Sequence, residues 1–192
     1  SITSQWFKDE DDVILLLGDL VDQRDPLLGL GGSAYLQALE SVKSGKPPRV
    51  YFEEEKRIAD ALRGWIGSGV IKSAHDCSEG GLAVALSESC FSEDVARNTP
   101  RLLGAKISLE SIENVNVQAA LFGESQGRIV VSVEKAFLPK VLGQAAILEV
   151  PVTEIGTVGG DRLSIDYGDD SFSWSLSDLH KEWWSSIESR LS

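Results

Sequence analysis

The chain has 192 residues and a formal net charge of −12, from 30 acidic against 18 basic side chains. A surface of that sign repels phosphate backbones, which argues against nucleic acid as a partner while leaving nucleotides open, since small local sites bind them through backbone N–H groups and Mg²⁺. With 42% hydrophobic and 25% charged residues the composition is that of an ordinary globular protein, and no apolar run approaches the roughly 18 residues of a membrane span, so no membrane partner is expected.

Val13 to Leu17 is the longest apolar run, and it predicts a buried strand ended by Gly18 and Asp19. After a loop through Pro26 to Gly32, Ser33 to Val42 predicts a helix with Tyr35, Leu39 and Val42 on one face. Gly45-Lys46-Pro47-Pro48 breaks the chain. Glu53 to Ser68 has the clearest helical period, with Ile58, Ala61, Leu62, Trp65 and Ile66 on one side and Glu53, Glu54 and Glu55 in the first turn, where the helix dipole favours acids. Val70-Ile71 begins a short strand toward His75, and Gly80-Gly81 opens a helix to about Cys90 with Leu82, Ala85, Leu86 and Ser89 on one face.

Ser92 to Leu103 predicts a surface loop, and Ala105 to Leu109 an alternating strand. Arg128 to Val133 predicts another strand, followed by a short helix over Lys135 to Gly143. Ile155 to Val158 and Arg162 to Ile165, flanking Gly159-Gly160-Asp161, predict a hairpin. The last helix is expected from about Leu176 to Leu191, with a capping box made by Ser175 and Asp178 and a face of Leu179, Trp183, Ile187 and Leu191. Trp174, Trp183 and Trp184 are expected to anchor that helix rather than stack on bases. Strands mixed with helices, without repeats or a linker, predict an α+β (mixed α/β) fold of layered mixed sheet and packed helices, a single domain over 1–192 with its core at about 13–191. Two cysteines, Cys77 and Cys90, in no CxxC spacing fit a reducing, cytoplasmic setting and no cysteine-based zinc site. Ser1 to Asp12 is polar and acidic, unlike a secretory signal. A chain without methionine that starts at Ser1 is expected to be a piece of a longer protein.

Three segments carry candidate chemistry. Gly29-Leu30-Gly31-Gly32-Ser33-Ala34 has the G-x-G-x-x-A spacing of a dinucleotide site, but it does not follow a strand directly, and a tight turn opening a helix is the better account. In Ser73-Ala74-His75-Asp76-Cys77-Ser78-Glu79-Gly80-Gly81-Leu82 a strand runs through a polar cluster into a helix. The N–H groups of Gly80 and Gly81 can hold an anion, and Asp76 can hold Mg²⁺ against a phosphate. Equally, Asp76 and Ser78 can cap the helix and His75 can be a satisfied core histidine. A His75–Cys77 catalytic pair has no third orienting group. In Phe122-Gly123-Glu124-Ser125-Gln126-Gly127-Arg128, a carboxylate, a hydroxyl and an amide sit in a glycine-bounded turn, where they either meet a ligand or solvate the turn.

In order along the chain, Leu30-Gly31-Gly32-Ser33, His75-Asp76-x-Ser78-x-Gly80-Gly81-Leu82, Phe122 to Arg128 and Ile155-Gly156-x-Val158-Gly159-Gly160-Asp161-Arg162-Leu163 resemble the C-terminal domain of the aminoimidazole ribonucleotide synthetase superfamily. Within it the pattern is most similar to the last domain of the phosphoribosylformylglycinamidine synthase family. The resemblance implies part of an ATP- and Mg²⁺-dependent carbon–nitrogen ligase of purine biosynthesis, which converts formylglycinamide ribonucleotide to formylglycinamidine ribonucleotide. It implies as partners the N-terminal domains of the same protein and a glutaminase subunit or domain that supplies ammonia. It places Mg²⁺ at Asp76 and nucleotide or substrate at Glu124, Ser125, Gln126, Ser78, Gly80 and Gly81, with no catalytic residue in this domain and no activity for the domain alone. His75 and Glu79 follow the second-half version of the motif, in a half expected to be structural or to carry an auxiliary nucleotide. A non-catalytic scaffold domain, or the equivalent domain of aminoimidazole ribonucleotide synthetase, selenophosphate synthetase or a hydrogenase maturation protein, is the alternative. Asp76 and the Glu124-Ser125-Gln126 turn are expected on one side of the sheet.

Overall fold

The computed structural model describes residues 3–41, 44–92 and 101–186. The elements in chain order are β1 (Val13–Leu17), α1 (Ala34–Glu40), α2 (Phe52–Gly67), β2 (Ile71–Asp76), α3 (Gly81–Ser89), β3 (Phe91–Ser92), β4 (Arg101–Leu102), β5 (Ala105–Leu109), α4 (Val117–Phe122) and β6 (Ile129–Val133), then α5 (Leu138–Leu148), β7 (Val152–Val158), β8 (Arg162–Tyr167), β9 (Asp170–Ser175) and α6 (Leu176–Ser185). Seven strands form a sheet in the order β2-β6-β1-β7-β5-β8-β9. Neighbours are antiparallel except β5 and β8, which run parallel. This is the mixed sheet with packed helices that the sequence predicts. Among the described residues no helix is long and apolar enough to cross a membrane.

β1 is buried along its whole length because both faces of the sheet are covered there. Ile14 and Leu16 enter one apolar cluster with Leu82 and Leu86 of α3 and Ala119 to Leu121 of α4. Val13, Leu15 and Leu17 enter a second with Ile58, Ala61 and Trp65 of α2 and Val141 and Ala145 of α5. Alternate side chains of one strand thus feed two cores, which explains a run with no polar member. The stripe expected on α2 faces the sheet, and the indole N–H of Trp65 donates to Gln144 Oε1 of α5 at 2.8 Å.

Several expectations are corrected. The segments 152–158 and 162–167 are not a hairpin: β5 lies between them. Gly104, just before β5, donates to Gly160 O at 2.8 Å and accepts from the Gly159 N–H at 2.7 Å, so the glycine turn bridges over an inserted strand. The real hairpin is β8–β9, with Arg162 opposite Ser175 and Tyr167 opposite Asp170. The capping box at α6 does not form, because the hydroxyls of Ser175 and Ser177 bond to each other at 2.7 Å and the Leu176 N–H donates to Asp161 O. Leu39 is exposed on α1, whose packing comes instead from Tyr35 stacked on Phe122 with ring centroids 4.8 Å apart. The helix expected over 135–143 continues to Leu148, and the ends of the loop expected over 92–103 pair as β3 and β4. Val42, residues 93–100, Ile187 and Leu191 lie outside the described residues.

Candidate functional site

β2, β6 and β1 are neighbours, and Asp76 at the end of β2 and Leu17 at the end of β1 both pair with Ile129 at the start of β6. The loop after β1, the loop after β2 and the loop before β6 therefore leave the sheet at the same end. Close backbone contacts fix them there. A Cβ on Gly81 would come within 2.6 Å of Gly123 O, and one on Gly29 within 2.9 Å of the Glu124 backbone nitrogen, and both residues have positive φ, so glycine is required at both contacts.

Asp76, Ser78, Glu124, Ser125 and Gln126 line one cavity of about 450 Å³ between these loops. The carboxylate of Asp76 is exposed and accepts a hydrogen bond from the Ser78 hydroxyl. Gln126 is exposed, whereas Ser125 is buried. Gly80 and Gly81 are buried behind the wall, and their N–H groups already have partners: Gly80 N–H donates to Glu124 Oε1 at 2.8 Å and Gly81 N–H to Ser78 O at 3.1 Å. The anion seat expected at the start of α3 is thus taken by the chain's own carboxylate. The same Oε1 accepts from Ala34 N–H at 2.8 Å, so Glu124 ties the first turns of α1 and α3 together.

Glu55 and Arg128 also line the cavity, and neither carries a ligand role in the sequence reading. Glu55 of α2, half-buried, has its carboxyl raised by burial and by neighbouring Glu54. Arg128 is buried; its Nη1 donates to Leu20 O at 2.7 Å and its Nη2 to Gly123 O, while Nε has no partner. Burial pulls its pKa down, opposed by the nearby Cys77 and Glu124. An arginine between a glycine turn and an apolar strand was the available sequence signal; nothing in a three-glutamate first turn singles out Glu55.

The His75–Cys77 pair does not form. His75 Nε2 lies 2.8 Å from Glu88 Oε2 of α3, and burial raises the Cys77 thiol to about 11, leaving it protonated at neutral pH. Among the described residues no three metal-ligating side chains converge. Mg²⁺ commonly needs no such cage, binding through one or two carboxylates plus ligand phosphates, and the exposed carboxylate of Asp76 fits that donor set.

Residues 9–168 match the family described as AIR synthase related protein, C-terminal domain. The chain belongs to that family. Among its relatives, phosphoribosylformylglycinamidine synthase subunit PurL of Anaeromyxobacter dehalogenans (strain 2CP-1) is 37% identical over 179 residues, which is 92% of this chain and 22% of that one. The same subunit of Parasynechococcus marenigrum is 38% identical over 172 residues, 88% of this chain and 21% of that one. The chain therefore spans about a fifth of the length of these relatives. Among solved structures, Thermotoga maritima PurL complexed with FGAR superposes with a TM-score of 0.73 at 18% identity, over 93% of this chain and 29% of that one. At that identity the likeness shows a shared fold alone.

Proposed function

We propose that this chain is the C-terminal domain of a phosphoribosylformylglycinamidine synthase, and that its cavity forms one wall of a nucleotide or substrate site completed by N-terminal domains of the same protein. The single observation that carries this reading is the gathering of Asp76 and the Glu124-Ser125-Gln126 turn in one cavity at one end of the sheet, together with relatives of that name over nearly all of the chain. The parent protein would be a cytoplasmic, ATP- and Mg²⁺-dependent ligase joining ammonia from a glutaminase to formylglycinamide ribonucleotide. Related structures were solved with ATP and with FGAR, which fits a site for phosphorylated ligands.

The electrostatics favour a metal-bound phosphate over a bare one. Asp76, Glu79, Glu55 and Glu124 line the cavity with a single guanidinium, Arg128, in its wall. Mg²⁺ at Asp76 would supply the positive charge that lets a phosphate approach those carboxylates. Ser78 orients the Asp76 carboxylate by its hydrogen bond, and Gln126 adds an exposed amide to the lining. Glu124 is a wall residue, since its Oε1 is committed to two backbone N–H groups.

That commitment also favours a second reading, a scaffold domain that binds no ligand. Titration of MgATP into the full-length protein, with and without Asp76→Ala, separates the two. The first reading expects one binding event to weaken in the variant; identical isotherms support the scaffold. Either way the 192-residue chain assayed alone is expected to give background amidine formation, because the described residues assemble no catalytic constellation.

A further inference from the structure

Arg128 and Asp12 are the buried charged side chains among the described residues. Arg128 has no carboxylate within ion-pairing distance among them, and burying a guanidinium without a counter-charge is costly. An apolar side chain would fill the space without that cost, so the useful property of the arginine is its geometry: a planar fork reaching two acceptors at once. The fork joins parts of the chain that the sequence keeps far apart. Nη1 donates to Leu20 O in the loop after β1, and Nη2 to Gly123 O in the loop before β6. The Gly123 carbonyl and the Glu124 N–H belong to one peptide plane, and that N–H donates to Gly29 O at 2.9 Å. The plane is thus gripped at both ends, by Arg128 on its oxygen and by Gly29 on its hydrogen, and it sets the direction in which the Glu124 side chain leaves the backbone. The Arg128 carbonyl in turn accepts from Cys77 N–H at 2.8 Å, next to Asp76.

We propose that Arg128 is the positioning residue of the cavity: its fork holds the Gly123–Glu124 peptide so that the Glu124 carboxylate seats on the N–H groups of Gly80 and Ala34, and one clamp thereby registers all three loops. Its bearing on ligand binding rests on the function proposed above; the clamp itself does not. Arg128→Lys keeps the charge but replaces the rigid two-nitrogen fork by donors on one nitrogen at the end of a flexible stem, which does not fix the Leu20 and Gly123 carbonyls in the same geometry. Amide hydrogen exchange read residue by residue tests the assignment without any ligand. In Arg128→Lys the amides of Gly80 and Ala34 are expected to exchange about tenfold faster or more, while those of Leu15 and Val131 in the sheet stay close to wild type. Uniform acceleration across the sheet, the mark of a merely stabilising residue, overturns the proposal, as does unchanged exchange at Gly80 and Ala34. If the variant does not fold, exchange of the wild-type protein under rising urea tests the same clamp. The amides of Gly80, Ala34 and Cys77 are expected to open together, with one urea dependence and at lower urea than the sheet; separate dependences overturn the clamp. A protein that binds no MgATP would sink the ligand-site reading and leave this result standing.

Discussion

Glu88 holds its Oε2 2.8 Å from His75 Nε2 and accepts from the Trp183 indole N–H on Oε1 at 3.1 Å, so one carboxylate of α3 joins strand β2 to the C-terminal helix α6. The bond from His75, followed by that from Trp183, keeps the Glu88 carboxyl below its ordinary value of 4.5 in spite of burial. A depressed carboxyl contributes stability that is full above the unfolded pKa and is lost as pH falls through the folded one. Between about pH 5 and about pH 3 the wild type is therefore expected to lose more thermal stability than Glu88→Gln, by roughly 2–4 °C, the effect of about 1 kcal/mol in a protein of this size. Tryptophan fluorescence melts at several pH values measure it; parallel losses in the two proteins would show that the charge on Glu88 is not felt.

Asp12 behaves in the opposite sense. It is buried, with Lys72 Nζ 2.8 Å from Oδ1 and no partner on Oδ2. Burial raises its carboxyl, and the Lys72 hydrogen bond does not offset that. Lys72 is itself held above its ordinary value against burial, by Asp12 and also by Asp9 at 2.7 Å, so it keeps a partner if Asp12 loses its charge. A raised carboxyl costs stability above its folded pKa, and the cost vanishes below its unfolded pKa. Asp12→Asn is expected to stabilise the protein by about 1 kcal/mol at pH 7 and by nothing near pH 3. Denaturant unfolding at both pH values decides; a loss at pH 7 would mean that the ion pair outweighs the buried charge.

The α2 stripe gives a test of packing. Ile58 and Trp65 are buried, but Leu62 is only partly so at the edge of its cluster. Ile58→Ala is expected to cost roughly 2–5 kcal/mol, and Leu62→Ala about half as much, because a side chain still touching water leaves less of a cavity. Equal losses in urea unfolding would place the two positions at the same depth.

What the sequence conveyed follows from how local each signal is. Val13 to Leu17, Ala105 to Leu109 and the α2 stripe carry their own periodicity, and each forms the element it predicts. α4 was missed because Val117–Phe122 is six residues long, too short to show a period. The β7–β8 hairpin failed because strand insertion is decided by Gly104, more than fifty residues upstream of the turn it enters. In the cavity, polar residues in glycine-bounded turns pointed to Asp76 and Glu124. The partner of the Gly80 N–H could not be read locally, since Glu124 lies 44 residues away. Arg128 was visible as a residue but not as a clamp, because its acceptors are backbone carbonyls, which leave no trace in side-chain patterns.

The seat of Glu124 makes a last prediction. Its Oε1 sits where a bound anion would meet the first turn of α3, and it accepts two N–H groups at 2.8 Å. Glu124→Gln keeps an oxygen there and loses the charge, so about 1 kcal/mol is expected to go; Glu124→Ala leaves two donors without an acceptor and should cost about 2–4 kcal/mol. The alanine variant also opens a small cradle of backbone N–H groups at a helix start, a geometry that binds anions. Added acetate or inorganic phosphate is therefore expected to raise the melting temperature of Glu124→Ala by several degrees and to leave the wild type and Glu124→Gln almost unmoved, because their seats are filled. Chloride at equal ionic strength controls for general salt effects. Equal responses in all three proteins would show that Glu124 acts as an ordinary loop residue, whereas rescue confined to the alanine variant would establish that this domain carries its own carboxylate in a place built for an anion.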